Sequence, residues 1–169
     1  RARGAAFGPP RARRDDGEGC GILAAMRRPL IAGNWKMHKT PSEALSWLGD
    51  FLDGLERTPH EGVDVLLAVP ATHLAALAAR AKGSDVALGG QDVSPHDEGA
   101  YTGEVSGAMM ADAGASHVVV GHSERRAYHD ETDQRVAAKL GAARRHGLVP
   151  ILCIGEREEQ RDEGRAEEV

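Results

Sequence analysis

Long apolar runs are the first thing this 169-residue chain lacks. No stretch approaches the roughly 20 apolar residues that a membrane-spanning helix needs, so a transmembrane role has no support. Cysteine is scarce as well. Only Cys20 and Cys153 occur, in unrelated contexts. Two such cysteines make no disulfide framework, and a reducing cytosol is the simplest compartment. Nor is there an excess of positive charge, since Lys plus Arg number 21 against 26 for Asp plus Glu, a net charge of −5. That mild acidity speaks against a nucleic-acid or anionic-membrane partner. No GxGxxG or Walker-type loop occurs, and no HExxH or paired Cys/His spacing points to a metal.

What is present is a globular composition, 41% hydrophobic and 28% charged, in a chain long enough for one sizeable core. Residues 1–25 stand apart from it. They hold Arg1, Arg3, Arg11, Arg13 and Arg14, the pair Pro9-Pro10, and then Asp15-Asp16-Gly17-Glu18-Gly19. They contain neither an apolar signal core nor a single serine, which argues against a secretory signal and a transit peptide. We expect a disordered tail over 1–25 and a folded domain over 26–169, with Met26 placed where a natural start would fall.

From Leu30 onward short apolar runs alternate with amphipathic stretches. Leu30–Gly33 reads as a buried strand. Thr40 then caps a helix, with Pro41 at its first position and Glu43 closing a capping box. Leu45, Leu48, Leu52 and Leu55 follow at helical spacing. Strands are expected at Val63–Val69, Val86–Gln91, His117–Val120 and Val149–Ile154. Helices are expected around Leu74–Ala81, Ser106–Ala113 and Val136–Ala143, the last with Val136, Ala137, Leu140 and Ala143 as its stripe. Asp92–Val105, with Pro95, Gly99 and Gly103, reads as a long loop.

Repeated βα units with strands apolar on both faces mean a parallel sheet covered by helices. Two architectures fit: an open doubly wound sheet complete in five strands, or a (β/α)8 barrel stopped short. A barrel takes about 250 residues, so length favours the open sheet.

The most abrupt change from apolar to reactive residues is Val118-Val119-Val120-Gly121-His122-Ser123-Glu124-Arg125-Arg126. A buried strand that runs straight into titratable groups is how α/β enzymes present chemistry at a strand's C-terminal end. Taken alone, His122 is equally well a catalytic group or a helix-capping histidine. Lys36, past the end of the first strand, is a cation for an anionic ligand or a solvated surface lysine. Asn34 is a donor to a substrate oxygen or a turn residue. Cys153 has no neighbouring base to activate it and reads as a small buried side chain.

Four segments in order decide among these readings: Gly33-Asn34-Trp35-Lys36-Met37, Tyr101-Thr102-Gly103-Glu104, Val120-Gly121-His122-Ser123-Glu124-Arg125-Arg126 and Cys153-Ile154-Gly155-Glu156. Each lies at the end of a strand or in the long third loop, and together they resemble the triosephosphate isomerases. The resemblance runs from Pro29 to the C-terminus and covers about the first five-eighths of that family's barrel. It implies a TIM (β/α)8 barrel truncated after the fifth strand and the start of its helix. Five strands of such a barrel would leave strands one and five with raw edges.

The resemblance also assigns roles. His122 becomes the electrophile that polarises the substrate carbonyl as a neutral imidazole, which is the established behaviour of this family. Asn34 and Lys36 bind substrate, Lys36 supplying charge to the phosphate and the developing enediolate. Ser123, Glu124 and Cys153 support them. Thr102, Gly103 and Glu104 form a dimer loop, and Arg125 pairs with an acid across the dimer, Glu104 of the partner being the candidate. The reaction implied is the interconversion of glycerone phosphate and glyceraldehyde 3-phosphate by a cytosolic homodimer, without metal or organic cofactor.

The family's glutamate base follows the sixth strand, so it is absent here, as are the lid and the phosphate-gripping turns. The expectation is therefore a chain inactive on its own. His38 departs from the family's usual asparagine, outside the catalytic set. The competing reading is a non-catalytic five-stranded α/β binding or regulatory module, and a weaker one is another phosphate-handling barrel.

Overall fold

The computed structural model describes residues 28–156 and 158–165, so the tail expected over 1–25 lies outside the described residues. The described chain runs as βα units. β1 (Leu30–Asn34) leads to α1 (Pro41–Glu56), and β2 (Asp64–Ala68) leads through one 3-10 turn (Ala71–His73) to α2 (Leu74–Ala81). β3 (Val86–Gly90) is followed by α3 (Gly107–Asp112), and β4 (His117–Val120) by α4 (Ser123–Tyr128) and α5 (Asp133–Arg145). β5 (Val149–Leu152) and the short α6 (Glu158–Asp162) complete it.

Local sequence explains why these elements start where they do. The Thr40 side chain accepts from the Glu43 N–H while Glu43 reaches back to the Thr40 N–H, satisfying donors that a helix start leaves orphaned. At α3 and α5 the cap is one-sided, Ser106 accepting from the Met109 N–H and Thr132 from the Arg135 N–H. Gly114 (φ 95°) and Gly147 (φ 73°) take the left-handed turns after α3 and α5.

All strand pairs are parallel, and the sheet order is β1-β2-β3-β4-β5. This settles the choice that length had tilted the wrong way. A doubly wound sheet reverses its strand order at a switch point, whereas here every strand pairs only with its neighbours in sequence. The helices confirm it by packing on one face. Val65, Leu67, Val86, Leu88, Val118 and Val120 share a single core cluster with Ala44, Leu48 and Leu52 of α1, Leu74 and Leu77 of α2, and Val136 and Ala143 of α5. Leu66, Ala68 and Val119 are also buried but lie outside that cluster, on the opposite face. Successive βα units winding one way, with helices outside, make the arc of a β/α barrel.

Three local expectations are corrected. β1 is not buried: Ile31 is 63% exposed and Leu30 41%. Among the described residues it is an edge strand, with β2 as its only neighbour. The inward stripe of α1 runs through Ala44, Leu48 and Leu52, with Leu45 turned outward. On α5 the buried face is Val136, Lys139, Ala142 and Ala143, and Ala137 is exposed. Charge on Lys139 hid the true helical face from a reading based on apolar residues alone.

Candidate active site

The C-terminal ends of β1, β3 and β4 open into a cleft of about 530 Å³, lined by Asn34, Lys36, Gln91, His122 and Glu124 among others. Register puts them there. Asn34 pairs with Ala68 on β2, Gln91 directly follows β3, and His122 follows β4 after Gly121. Gly121 takes φ 72° and packs against Val136, so a side chain there would strain the turn that aims His122.

Lys36 lies in the left-handed region at φ 51°, an uncommon and costly backbone for a lysine. Its neighbours hold it there. The Lys36 N–H donates to Asn34 Oδ1 at 3.0 Å, and its carbonyl accepts from Gln91 Nε2 at 3.0 Å. So bent, the backbone sends the ammonium across the cleft, where Nζ donates to Glu124 Oε1 at 2.7 Å. The hydrogen bond and charge of Lys36 hold the Glu124 carboxyl below the usual glutamate range.

His122 is both the N-cap of α4 and a neighbour of Glu124. Its Nδ1 accepts the Glu124 backbone N–H at 3.2 Å, and the Glu124 carboxylate stands 3.5 Å from the same nitrogen. An N–H donated to Nδ1 requires a lone pair there, so the proton of the neutral ring sits on Nε2. The 3.5 Å carboxylate approach is longer than a normal hydrogen bond. The result is an Nε2–H donor on the cleft wall.

The supporting residues occupy varied places. Ser123 starts α4 and is exposed. Cys153 continues the β4–β5 pairing, its N–H donating to Val120 O at 2.9 Å. Burial pushes its thiol up, against the nearby charge of Arg126, which leaves it a poor nucleophile. The loop carrying Thr102, Gly103 and Glu104 is exposed and closed at its base by a Ser94 N–H to Val105 O bond of 2.9 Å. Gly103 and Glu104 line the same cleft as Arg125.

The Arg125 guanidinium is engaged within its own chain, 2.8 Å from Asp92 Oδ2 and 3.2 Å from Glu131 Oε1. Lys139, 1% exposed, contacts both of those acids as well, its Nζ lying 2.6 Å from Asp92 Oδ1. Burial raises the Asp92 carboxyl against the pull of Lys139 and Arg125. Burial works the same way on Glu131, but the hydrogen bonds and charges of Lys139 and Arg125 hold that carboxyl below its usual range. Two cations and two anions thus balance beneath the cleft. Sequence reasoning missed Lys139, Asp92, Glu131 and Gln91. The available signal was a lysine at helical spacing from Val136 and Ala143, and a glutamine directly after two strand-end glycines.

Among the described residues, no three His, Cys, Asp or Glu side chains converge as a metal site, and no helix is long and apolar enough to cross a membrane.

A family model described as triosephosphate isomerase matches residues 29–169. This chain belongs to the triosephosphate isomerase family. A triosephosphate isomerase from Deinococcus radiodurans is 56% identical over 135 residues, which is 80% of this chain and 54% of that protein. One from a Synechococcus strain is 50% identical over 145 residues, covering 84% and 58%. Among solved structures, the triosephosphate isomerase of Bartonella henselae superposes with a TM-score of 0.78 at 43% identity, covering 84% of this chain and 58% of that one. The chain therefore spans a little over half the length of these triosephosphate isomerases, and its arc corresponds to consecutive βα units of a TIM barrel.

Proposed function

We propose that the chain carries the carbonyl-polarising and anion-binding part of a triose-phosphate isomerase site. The reaction is the interconversion of glycerone phosphate and D-glyceraldehyde 3-phosphate through an enediol(ate), a step of glycolysis and gluconeogenesis. The observation that supports it best is the link from Lys36 through Glu124 to His122, which joins the ends of β1 and β4 across one cleft. Lys36 offers positive charge to the phosphate and the developing enediolate, and Asn34 assists in holding substrate. His122 donates Nε2–H to the carbonyl oxygen, strengthening as negative charge builds there.

Moving a proton between adjacent carbons also needs a base. Glu124 is a poor one, because Lys36 depresses its carboxyl. Asp92 is tied to Lys139 and Arg125. We assign the base to a glutamate outside these 169 residues, so the isolated polypeptide is expected to be inactive. The complete enzyme is read as a cytoplasmic homodimer that needs no cofactor. Its loop at Thr102, Gly103 and Glu104 would face the second subunit, with Glu104 as the candidate partner of that subunit's Arg125, a reading supported by the loop's exposure.

The test has two arms. The purified 169-residue chain is given D-glyceraldehyde 3-phosphate, and turnover near that of a full-length relative sinks the assignment of the base. A chimaera with residues 29–169 in place of the matching segment of the Deinococcus relative should isomerise the same substrate. A folded chimaera without activity overturns the proposal.

A further inference from the structure

We propose that Gln91 is a positioning residue for the substrate-binding cation, acting as a clamp that holds Lys36 in its left-handed backbone. The inference rests on the functional reading above for what Lys36 does, and on geometry alone for how it is held. Gln91 Nε2 lies 3.0 Å from Lys36 O and 3.0 Å from Ala68 O. A primary amide nitrogen carries two N–H groups at a fixed fork, and here each has one carbonyl. Both partners are acceptors, so the amide has only one sensible orientation.

The second carbonyl matters as much as the first. Ala68 O also accepts the Trp35 N–H at 3.0 Å, which fills both of its lone pairs. Gln91 thereby joins three neighbouring chain segments at their C-terminal ends: β3, which it follows, β2 through Ala68, and the turn after β1 through Lys36. Without it Lys36 O would lose a donor at a residue whose φ of 51° is disfavoured. The backbone could then relax, and the ammonium would leave its 2.7 Å contact with Glu124.

No close substitute repeats this chemistry. Glutamate at neutral pH presents only acceptors to two carbonyls. Methionine fills the same space without a donor, and asparagine is one methylene short. The demand is for two hydrogens on one atom at that reach, and only glutamine supplies them without charge.

The experiment uses the full 169-residue chain as wild type, Q91M and Q91E, with S84A as a control that removes two hydrogen bonds at the opposite end of β3. Two quantities are read: the hydrogen-exchange protection factor of the Lys36 amide, and the affinity for glycerone phosphate. Q91M should lower each about tenfold, the scale of losing the bond to Lys36 O, while S84A leaves both near wild type. Q91E should match Q91M at pH 7 and regain protection as acid restores one donor hydrogen, a recovery that general unfolding would not show. Unchanged Lys36 protection in Q91M, or no acid recovery in Q91E, overturns the clamp. If the wild-type chain takes no glycerone phosphate, the protection factors decide the clamp by themselves, and the chimaera described above decides the functional reading.

Discussion

Lys139 and Asp92 are 47 residues apart in sequence and meet through a 2.6 Å ion pair, with the lysine side chain 1% exposed. Glu131 and Arg125 complete the group, so α5, the start of α4 and the segment after β3 are tied beneath the cleft. Buried ions of this kind are expensive to desolvate, and their value lies in being fully paired. Glu131 Oε2 has no hydrogen-bond partner among the described residues, which leaves the balance dependent on Lys139.

Removing that lysine should therefore hurt more than its small share of the surface suggests. Lys139→Met leaves the buried Glu131 and the half-buried Asp92 facing one another with only Arg125 between. The expected loss is roughly 3–5 kcal/mol, the usual scale for breaking a buried pair. Urea unfolding measures it. Adding Glu131→Gln should recover part of the loss, and a double variant weaker than the single one would contradict the account.

The Lys36–Glu124 contact predicts a pH dependence with a definite sign. The folded carboxyl of Glu124 is depressed relative to the unfolded chain. Its stabilising contribution is thus fully present above the ordinary glutamate range and is lost as pH falls through the lower, folded value. Carbon-detected NMR of the Glu124 carboxyl should show a titration below that of a free glutamate. In Lys36→Met the midpoint should rise towards the ordinary range, and a midpoint that stays put would remove Lys36 as the cause.

For catalysis, the chimaera with the Deinococcus relative is the informative background. His122→Gln should lower kcat there by roughly 10²–10³, the scale of losing one aligned donor to a developing oxyanion. Lys36→Met should raise KM as well as lower kcat, because it acts on both the bound anion and the transition state. Steady-state kinetics separates the two patterns.

The capping box at the start of α1 offers a test that does not touch the cleft. Thr40→Ala removes the acceptor for the Glu43 N–H. The expected cost is about 1 kcal/mol, read from the thermal or urea midpoint. Thr40→Ser should keep most of the stability.

Much of this architecture could be read from residues whose signals are local. Thr40, Pro41 and Glu43 announce α1 by cap chemistry. His122 was legible because an apolar strand gives way to charge within two residues. Strand order was not legible from periodicity, which is identical in open and closed α/β sheets; the four motif segments pointed to the barrel, and the sequential pairing of β1 through β5 bears that out. Lys139 escaped notice because burial of a charge depends on partners 8 and 47 residues away. Gln91 escaped for a related reason. Its two carbonyl partners belong to the turn after β1 and to β2, and backbone carbonyls leave no mark in a sequence.

The sequential order of the sheet has a consequence for how the chain reaches its structure. Each strand docks on the one made just before it, so no early strand must wait for a distant partner. Loop closure at every step spans only one βα unit, which keeps the entropic barrier small. On a ribosome the sheet can grow at its newest edge as each unit emerges, β1 and β2 first and β5 last. The cleft assembles on the same schedule. Lys36 appears early, Gln91 can fasten it once β3 has docked, and Glu124 and His122 arrive with β4 to a cation already in place.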